Sequence, residues 1–334
     1  MDADGGCEIV ELGEHEIIRI IQGHLSLPKM PVPFGDDVSA VELGGNRVAV
    51  LKTDMLVGKT DVPEQMSLYQ AARKAIVMNV SDFASKGAQP TAAIVALGLP
   101  GMCAKKDIEA IAEGLNDGAR EYSTYVIGGD TSETSDLIIS ISLFGCAEKS
   151  MLMLRSGAKP GDILAVTGPF GNPPSGLRLM YGDFTAPKNA KVLLDSVLLP
   201  KARLAEGLAL GKSGVVSASM DSSDGLAWSI HEIGRLSNVG FTLDRVPIAE
   251  EATQFAKVNN LDASELALYG GEEYELVLTI KPDKWAVAEE AAAAANGKLI
   301  AIGKVTEEKK VTLSENGKRF AVDARGWEHF KNQL

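Results

Sequence analysis

The stretch SASMDSSDGLAWSI, residues 217–230, sets Asp221, Ser222, Ser223 and Asp224 between an apolar run with strand spacing and a run with helix spacing. Ser and Asp side chains satisfy the free amides at a helix start, so one reading of this joint is an ordinary N-cap. Carboxylates this close together are also what a hard cation needs, and the joint alone admits both readings. Further out the pattern recurs: Asp54 follows RVAVLKT and Asp130 follows YVIGG, so three strand-like runs are expected to end on an aspartate. Asp37 in FGDD and Asp82 in NVSDFASKG add two more. One such aspartate is usually a turn former. Several, with glycines alongside, point to carboxylates that converge where strand ends meet in an α/β fold. Converging carboxylates repel unless a cation lies between them. With oxygen donors and no clustered His or Cys, Mg²⁺ is favoured over zinc or copper. Mg²⁺ held in this way commonly meets a polyphosphate, which suggests phosphoryl transfer or ATP-driven activation.

The gross composition narrows the class. A chain of 334 residues has room for two domains, and 45% hydrophobic with 23% charged residues is globular. A net charge of −12 argues against a nucleic-acid or anionic-membrane surface, because either needs a basic patch. Cys7, Cys103 and Cys146 are widely spaced without a C-x-x-C pair, so neither a zinc cage nor a disulfide framework is expected. The reducing cytoplasm is the expected compartment. The first residues, MDADGGCEIVELGEHEI, lack the basic-then-apolar pattern of a signal peptide, and no apolar run approaches the ~18 residues of a membrane span.

Apolar spacing predicts a helix around Ile17–Leu25, a strand ending at Asp54, a helix over 64–85 and a strand in TAAIVALGLP. It predicts a helix over 105–122, a short strand ending at Asp130 and a strand in DLIISISLFGCAE that is apolar on both faces. RSGAKPGD marks a change of domain near 149–154, giving domains 1–150 and 151–334. Beyond it DILAVTG, GVVSASM and YELVLTI read as strands, and WAVAEEAAAAANG as a helix ended by Gly297. GLALGKS imitates a phosphate loop but has one residue too few between its glycines and follows a helical run, so it reads as a helix end. GPFGNPPSG, 168–176, lies between a strand and a helix, and either cradles phosphate or is a plain connection. His15, His24, His231 and His329 show no ligand spacing and read as surface or packing residues.

The segments FGDDVSAV, KTDMLV, NVSDFASKGAQP, VIGGDTS, RSGAKPGD, MDSSDGLA, GGEEYEL and GWEHF stand in the order found in thiamine-monophosphate kinases, and the chain resembles that family over nearly its whole length. The family lies within the aminoimidazole ribonucleotide synthetase (PurM-like) superfamily. The resemblance implies a two-domain α/β (α+β) fold: an N-terminal domain that dimerises, with strands from two subunits forming a shared β-barrel, and a C-terminal α/β domain folded over it. ATP and several Mg²⁺ ions lie in the implied cleft. By motif position Asp37, Asp54, Asp82, Asp130 and Asp221 resemble metal ligands, with Thr53 and Asp224 assisting and Asp54, Asp130 and Asp221 carrying the catalytic charge. Gly129, Asp130, Arg155 and Ser223 resemble ATP contacts. Glu272 and Trp327 resemble acceptor contacts, the Trp by stacking on a ring.

One segment departs from the family pattern. The kinases usually read D-x-L-x-E-G-x-H-F where this chain has DMLVGKTDVP, so Gly58 replaces an acid and Asp61 replaces the acceptor-binding His. GGEEYEL for GGEDYEL is a milder change. Lys59 is the candidate to take over the charge role of that His, reaching the acceptor phosphate or Asp61 itself. The expected activity is transfer of the γ-phosphoryl group of ATP to thiamine monophosphate by a homodimer. Two alternatives are a ligase or dehydratase of the same superfamily and a nucleotide-binding paralogue without catalysis. Against the first stand the C-terminus FKNQL, which lacks a terminal Cys, and Cys7, which has no adjacent Lys.

Overall fold

The computed structural model describes residues 12–315 and 317–330. Cys7, the acidic residues before it and the terminal KNQL lie outside the described residues. No helix of the described residues is long and apolar enough to cross a membrane.

Two sheets organise the chain. The first has the order β1-β2-β5-β3-β4, with β1 Ser39–Gly44, β2 Arg47–Val57, β3 Gln89–Leu99, β4 Val126–Glu133 and β5 Ile138–Glu148. Only β3 and β4 run parallel; the other pairs are antiparallel. Among the described residues it is an open sheet that closes no barrel. On β5, Ile139, Ile141 and Leu143 are buried while Ser140 and Ser142 face the other side, so the strand alternates instead of being apolar on both faces.

The inner face of this sheet is covered by the helix Leu68–Ser85, itself buried almost all round. It starts four residues later than the apolar spacing suggests because Ser67 and Gln70 form a reciprocal capping box. A second helix, Lys105–Glu121, lies directly on it. A Cβ on Gly114 would stand 2.2 Å from the Tyr69 carbonyl oxygen, so only glycine permits the contact.

The second sheet has the order β12-β11-β8-β10-β6-β9-β7: β6 Ile163–Val166, β7 Val216–Asp221, β8 Gly240–Leu243, β9 Leu276–Ile280, β10 Ile300–Thr306, β11 Val311–Glu315 and β12 Lys318–Ala321. The helix Leu204–Ser213, which contains GLALGKS, joins the halves. A Cβ on Gly207 would meet the Ala84 carbonyl oxygen at 2.0 Å, so this phosphate-loop imitation is a packing surface.

Two of the three aspartate-ended strands run on past their aspartate. β2 pairs with β5 without interruption from Arg47↔Glu148 to Val57↔Ile138, so Asp54 lies inside the strand, and Asp130 likewise lies inside β4. Asp221 alone closes its strand. The ladder, which sequence does not display, decides where a strand stops.

The GPFGNPPSG segment leads into the helix Asn172–Tyr181, whose first turn holds prolines without N–H groups. The Gly171 amide donates to Glu273. The segment is therefore a connection whose free amide is already used by a protein carboxyl. Burial, reinforced by Glu275, pushes the Glu273 carboxyl well above its usual range despite the Gly171 amide. A carboxyl raised on folding contributes full stability below its unfolded value and loses it as pH rises toward the folded one, at up to about 1.4 kcal/mol per pH unit. Glu273→Gln keeps an acceptor for Gly171 and removes this loss. Urea denaturation should find the variant equal to wild type near pH 4 and more stable above pH 6; equal stability at both pH values would contradict the burial argument.

Candidate active site

The floor of the site is ionic and dry. Lys86 has no exposed side-chain surface and lies 2.7 Å from both Asp36 and Asp37, while its amine also donates to the Ser219 carbonyl at 2.8 Å. Arg155 pairs with Asp37 and donates to the Gly35 carbonyl at 2.9 Å. Burial opposes charge on Asp37, but Arg155 and Lys86 hold its carboxyl well below the usual range. Lys86 follows the helix Leu68–Ser85, Asp37 lies in the turn before β1, and Ser219 is on β7, so this network ties the two halves together.

Asp37, Asp82 and Asp221 form one buried group in which each offers a carboxylate oxygen within 4.8 Å of the others'. They come from a turn, a helix and a strand end. Ser81 donates to Asp221 at 2.9 Å. Lys52, on β2, lies 3.0 Å from Asp82 and 3.5 Å from Asp54, which brings Asp54 to the edge of the group. Burial raises Asp82 well above the usual carboxylate range, since Lys52 only partly offsets it and Asp221, Asp54 and Asp37 add to it. Burial and Asp37 push Asp221 up to about 6. Asp36, Asp37, Asp54, Asp82 and Asp221 outnumber Lys52, Lys86 and Arg155, so negative charge is left over. An all-oxygen donor set with this excess fits Mg²⁺.

The joint of residues 221–225 does not cap its helix. The helix Leu226–Ser237 begins after Gly225 with no side-chain cap, so the N-cap reading fails. Instead the joint is tied to the GGEEYEL segment: Glu272 N–H donates to the Ser223 carbonyl at 2.7 Å and Ser222 N–H to the Glu275 carbonyl at 2.9 Å. Glu272 and Tyr274 both hold positive φ, 64° and 51°, a strained backbone characteristic of functional segments. The Ser222 hydroxyl is buried without a hydrogen-bond partner among the described residues. Asp224 is pushed up to about 7 by burial, then by Glu14 and Asp221. The Trp327 backbone N–H donates to the Asp224 carbonyl at 2.9 Å, which ties Trp327 to the joint.

Glu272 meets Lys74, whose amine is 2.5 Å from its carboxylate and 3.2 Å from the Asp61 carbonyl oxygen. Lys74 is 1% exposed. The Asp61 carboxylate accepts from the Val57 amide at 2.7 Å, so it closes the short helix Gly58–Asp61. Among the described residues no ion pair joins Lys59 to Asp61; the Lys59 amide donates to Asp136 at 3.0 Å. A Cβ on Gly58 would stand 2.7 Å from the Asp136 carboxylate, which would have to shift to admit a side chain there.

Two groups of expected ligands stay apart from the carboxylates. Gly129 and Asp130 sit on β4, separated from β2 by β3 and β5, which at ~4.8 Å per strand is roughly 14 Å across the sheet. Gly129 packs on β3, where a Cβ would meet the Val95 carbonyl oxygen at 2.0 Å. Thr53 neighbours Asp54 on β2 and so faces the opposite side, donating to the Ile141 carbonyl at 3.0 Å. Sequence reasoning missed Lys52, Lys74, Lys86 and Asp36. The available signal was a lysine in the apolar run AARKAIV and a second one closing SDFASKG.

Comparison with known proteins agrees with this geometry. Residues 35–147 match the profile for AIR synthase related protein, N-terminal domain, and residues 159–316 the profile for its C-terminal domain. The thiamine-monophosphate kinase of Pyrococcus horikoshii is 36% identical over 97% of this chain and 98% of its own length. That of Nitrosopumilus maritimus is 34% identical over 96% of this chain and 99% of its own. The chain belongs to the thiamine-monophosphate kinase family. A solved structure from that family, AaThiL complexed with AMPPCP and TMP, superposes with a TM-score of 0.84 at 27% identity, covering 98% of this chain and 100% of that one.

Proposed function

We propose that this chain is an ATP- and Mg²⁺-dependent kinase that converts thiamine monophosphate to thiamine diphosphate. The observation that carries this reading is a buried, all-carboxylate group, Asp37, Asp82 and Asp221, beside a separate polar side built on Lys74 and Glu272, in a chain of this family. When bound, Mg²⁺ neutralises the charge of the nucleotide phosphates; Asp37, Asp54, Asp82 and Asp221 would hold it, with Asp224 near them. Arg155 and Ser223 line the nucleotide side. The acceptor is a phosphate oxyanion, so no general base is required, and no histidine belongs to the carboxylate group. Glu272 and Trp327 face the acceptor. Formation of thiamine diphosphate from ATP and thiamine monophosphate tests the reading. ATP hydrolysis without that product, across a panel of phosphorylated acceptors, would favour a superfamily ligase or dehydratase instead.

On the acceptor side the charge role goes to Lys74 in preference to Lys59. Lys74→Ala should raise the KM for thiamine monophosphate about tenfold or more by freeing Glu272, with Mg·ATP affinity unchanged. Lys59→Ala should alter it less than about twofold. The reverse ranking would return the role to Lys59.

We also assign residues 1–150 and 151–334 as the two domains, and a homodimer formed by the first. The outer face of its sheet exposes Val41, Leu51, Met55, Ile94 and Phe144, an apolar face that a second copy would cover. Thr53 and Asp130 belong to the same outer face, so a second copy on it would cover both. Light scattering should give twice the chain mass, and Ile94→Asp with Phe144→Asp should give a monomer without activity. A wild-type monomer at micromolar concentration would rule the dimer out. Free Cys103 and Cys146 fit a cytoplasmic location.

A further inference from the structure

We propose that Lys52 supplies a fixed positive charge at the phosphoryl-transfer centre, occupying the place of one divalent cation; the inference rests on the kinase reading above. Lys52 shares the inner face of β2 with Asp54, and its amine lies between two carboxylates, 3.0 Å from Asp82 and 3.5 Å from Asp54. The amine thus fills the gap between a member of the buried carboxylate group, Asp82, and Asp54 at its edge. The contrast with Lys86 is instructive. Lys86 is wholly buried and commits its amine to Asp36, Asp37 and the Ser219 carbonyl, so it has nothing left for a ligand.

Lys52 keeps 20% of its side chain exposed, and Asp54 keeps 37%. An ammonium has three N–H groups, and among the described residues only the two carboxylates engage this one. The remaining donor is available to a phosphate oxygen brought to the open side. The side chain is a compact point charge on a flexible stem, suited to a phosphate contact made without bidentate geometry. A divalent ion bound between Asp54 and Asp82 would have to displace the amine or sit against its charge. The chain therefore needs one fewer ion than its carboxylates would accommodate, and carries the missing charge covalently.

The test counts ions directly. Mn²⁺ is titrated against the full chain with a saturating non-hydrolysable methylene analogue of ATP, and free Mn²⁺ is read by electron paramagnetic resonance. Lys52→Ala should take up one more Mn²⁺ per chain than wild type, and its kcat should fall about tenfold or more, because a mobile ion replaces a fixed charge. Lys52→Arg should keep the wild-type count. Equal counts in wild type and Lys52→Ala overturn the proposal, as does an extra ion in Lys52→Arg. If Lys52→Ala cannot be recovered folded, Lys52→Gln, which keeps the stem and a donor but not the charge, is read in the same way. Failure of the kinase reading shows separately, as absent thiamine diphosphate from wild-type protein.

Discussion

Lys86→Met should lower the unfolding free energy by about 3–5 kcal/mol, because it strips the counter-charge from two buried carboxylates while leaving both in place. Asp36 and Asp37 each lie 2.7 Å from the amine, and neither pair reaches solvent. Arg155 alone cannot neutralise both. The pH dependence has a definite sign. The Asp37 carboxyl, held low by Arg155 and Lys86 against burial, gives stability that is present above its unfolded value of 3.8 and lost as pH falls toward the folded one. The deficit of Lys86→Met is therefore largest at neutral pH and narrows below about pH 4. Chemical denaturation at pH 7 and pH 4 measures it. A variant within 1 kcal/mol of wild type at pH 7 would mean that the network is not the clamp between the halves. Replacing Lys86, Asp36 and Asp37 together by neutral residues should recover most of the loss, since the cost lies in the unpaired charge.

Asp221→Asn should reduce kcat/KM roughly 10²–10³-fold while leaving the apo protein as stable as wild type or more so. The asparagine oxygen can still accept from Ser81, which donates to Asp221 at 2.9 Å, so the shape of the site survives. Burial and Asp37 push this carboxyl up to about 6 from 3.8. Its stability contribution is thus intact below pH 3.8 and lost as pH rises through about 6. The neutral side chain escapes that loss, a gain on the order of 1–3 kcal/mol at pH 7. Adding Mg²⁺ should reverse the order by stabilising wild type and not the variant. Thermal melts with and without Mg²⁺, paired with the product assay, separate the effects, and a variant that keeps full activity would remove Asp221 from the site.

Much of this was legible in the chain itself. Apolar periodicity located the helix that became Leu68–Ser85 and the strands β2–β7 and β9, because burial imposes period 3.6 or 2 on sequence whatever the partner is, but it did not mark β1, β8 or β10–β12. Ordered motifs identified the family, and the all-oxygen set of aspartates pointed to a hard cation such as Mg²⁺. Strand ends were less legible. Asp54 and Asp130 lie inside strands because β5 and β3 supply pairing partners beyond them, a contact between segments far apart in the chain.

What only the tertiary structure decided is which charges meet. Apolar neighbours hint that Lys74 and Lys86 are buried, but nothing local says which acid Lys52, Lys74 or Lys86 meets, since an amine's partner is set by packing across up to 198 residues of chain, as between Lys74 and Glu272. The same holds for the opening joint. Its composition suited a helix cap, and the cap is absent because Asp221 turns toward Asp37 and Asp82, while the backbone of Ser222 and Ser223 is taken by the GGEEYEL segment. Sequence alone determined the kind of chemistry, because the kind depends on which donor atoms are present. The fold decided which donors take part, because electrostatic energy depends on distance and burial, and both exist only once the chain has folded.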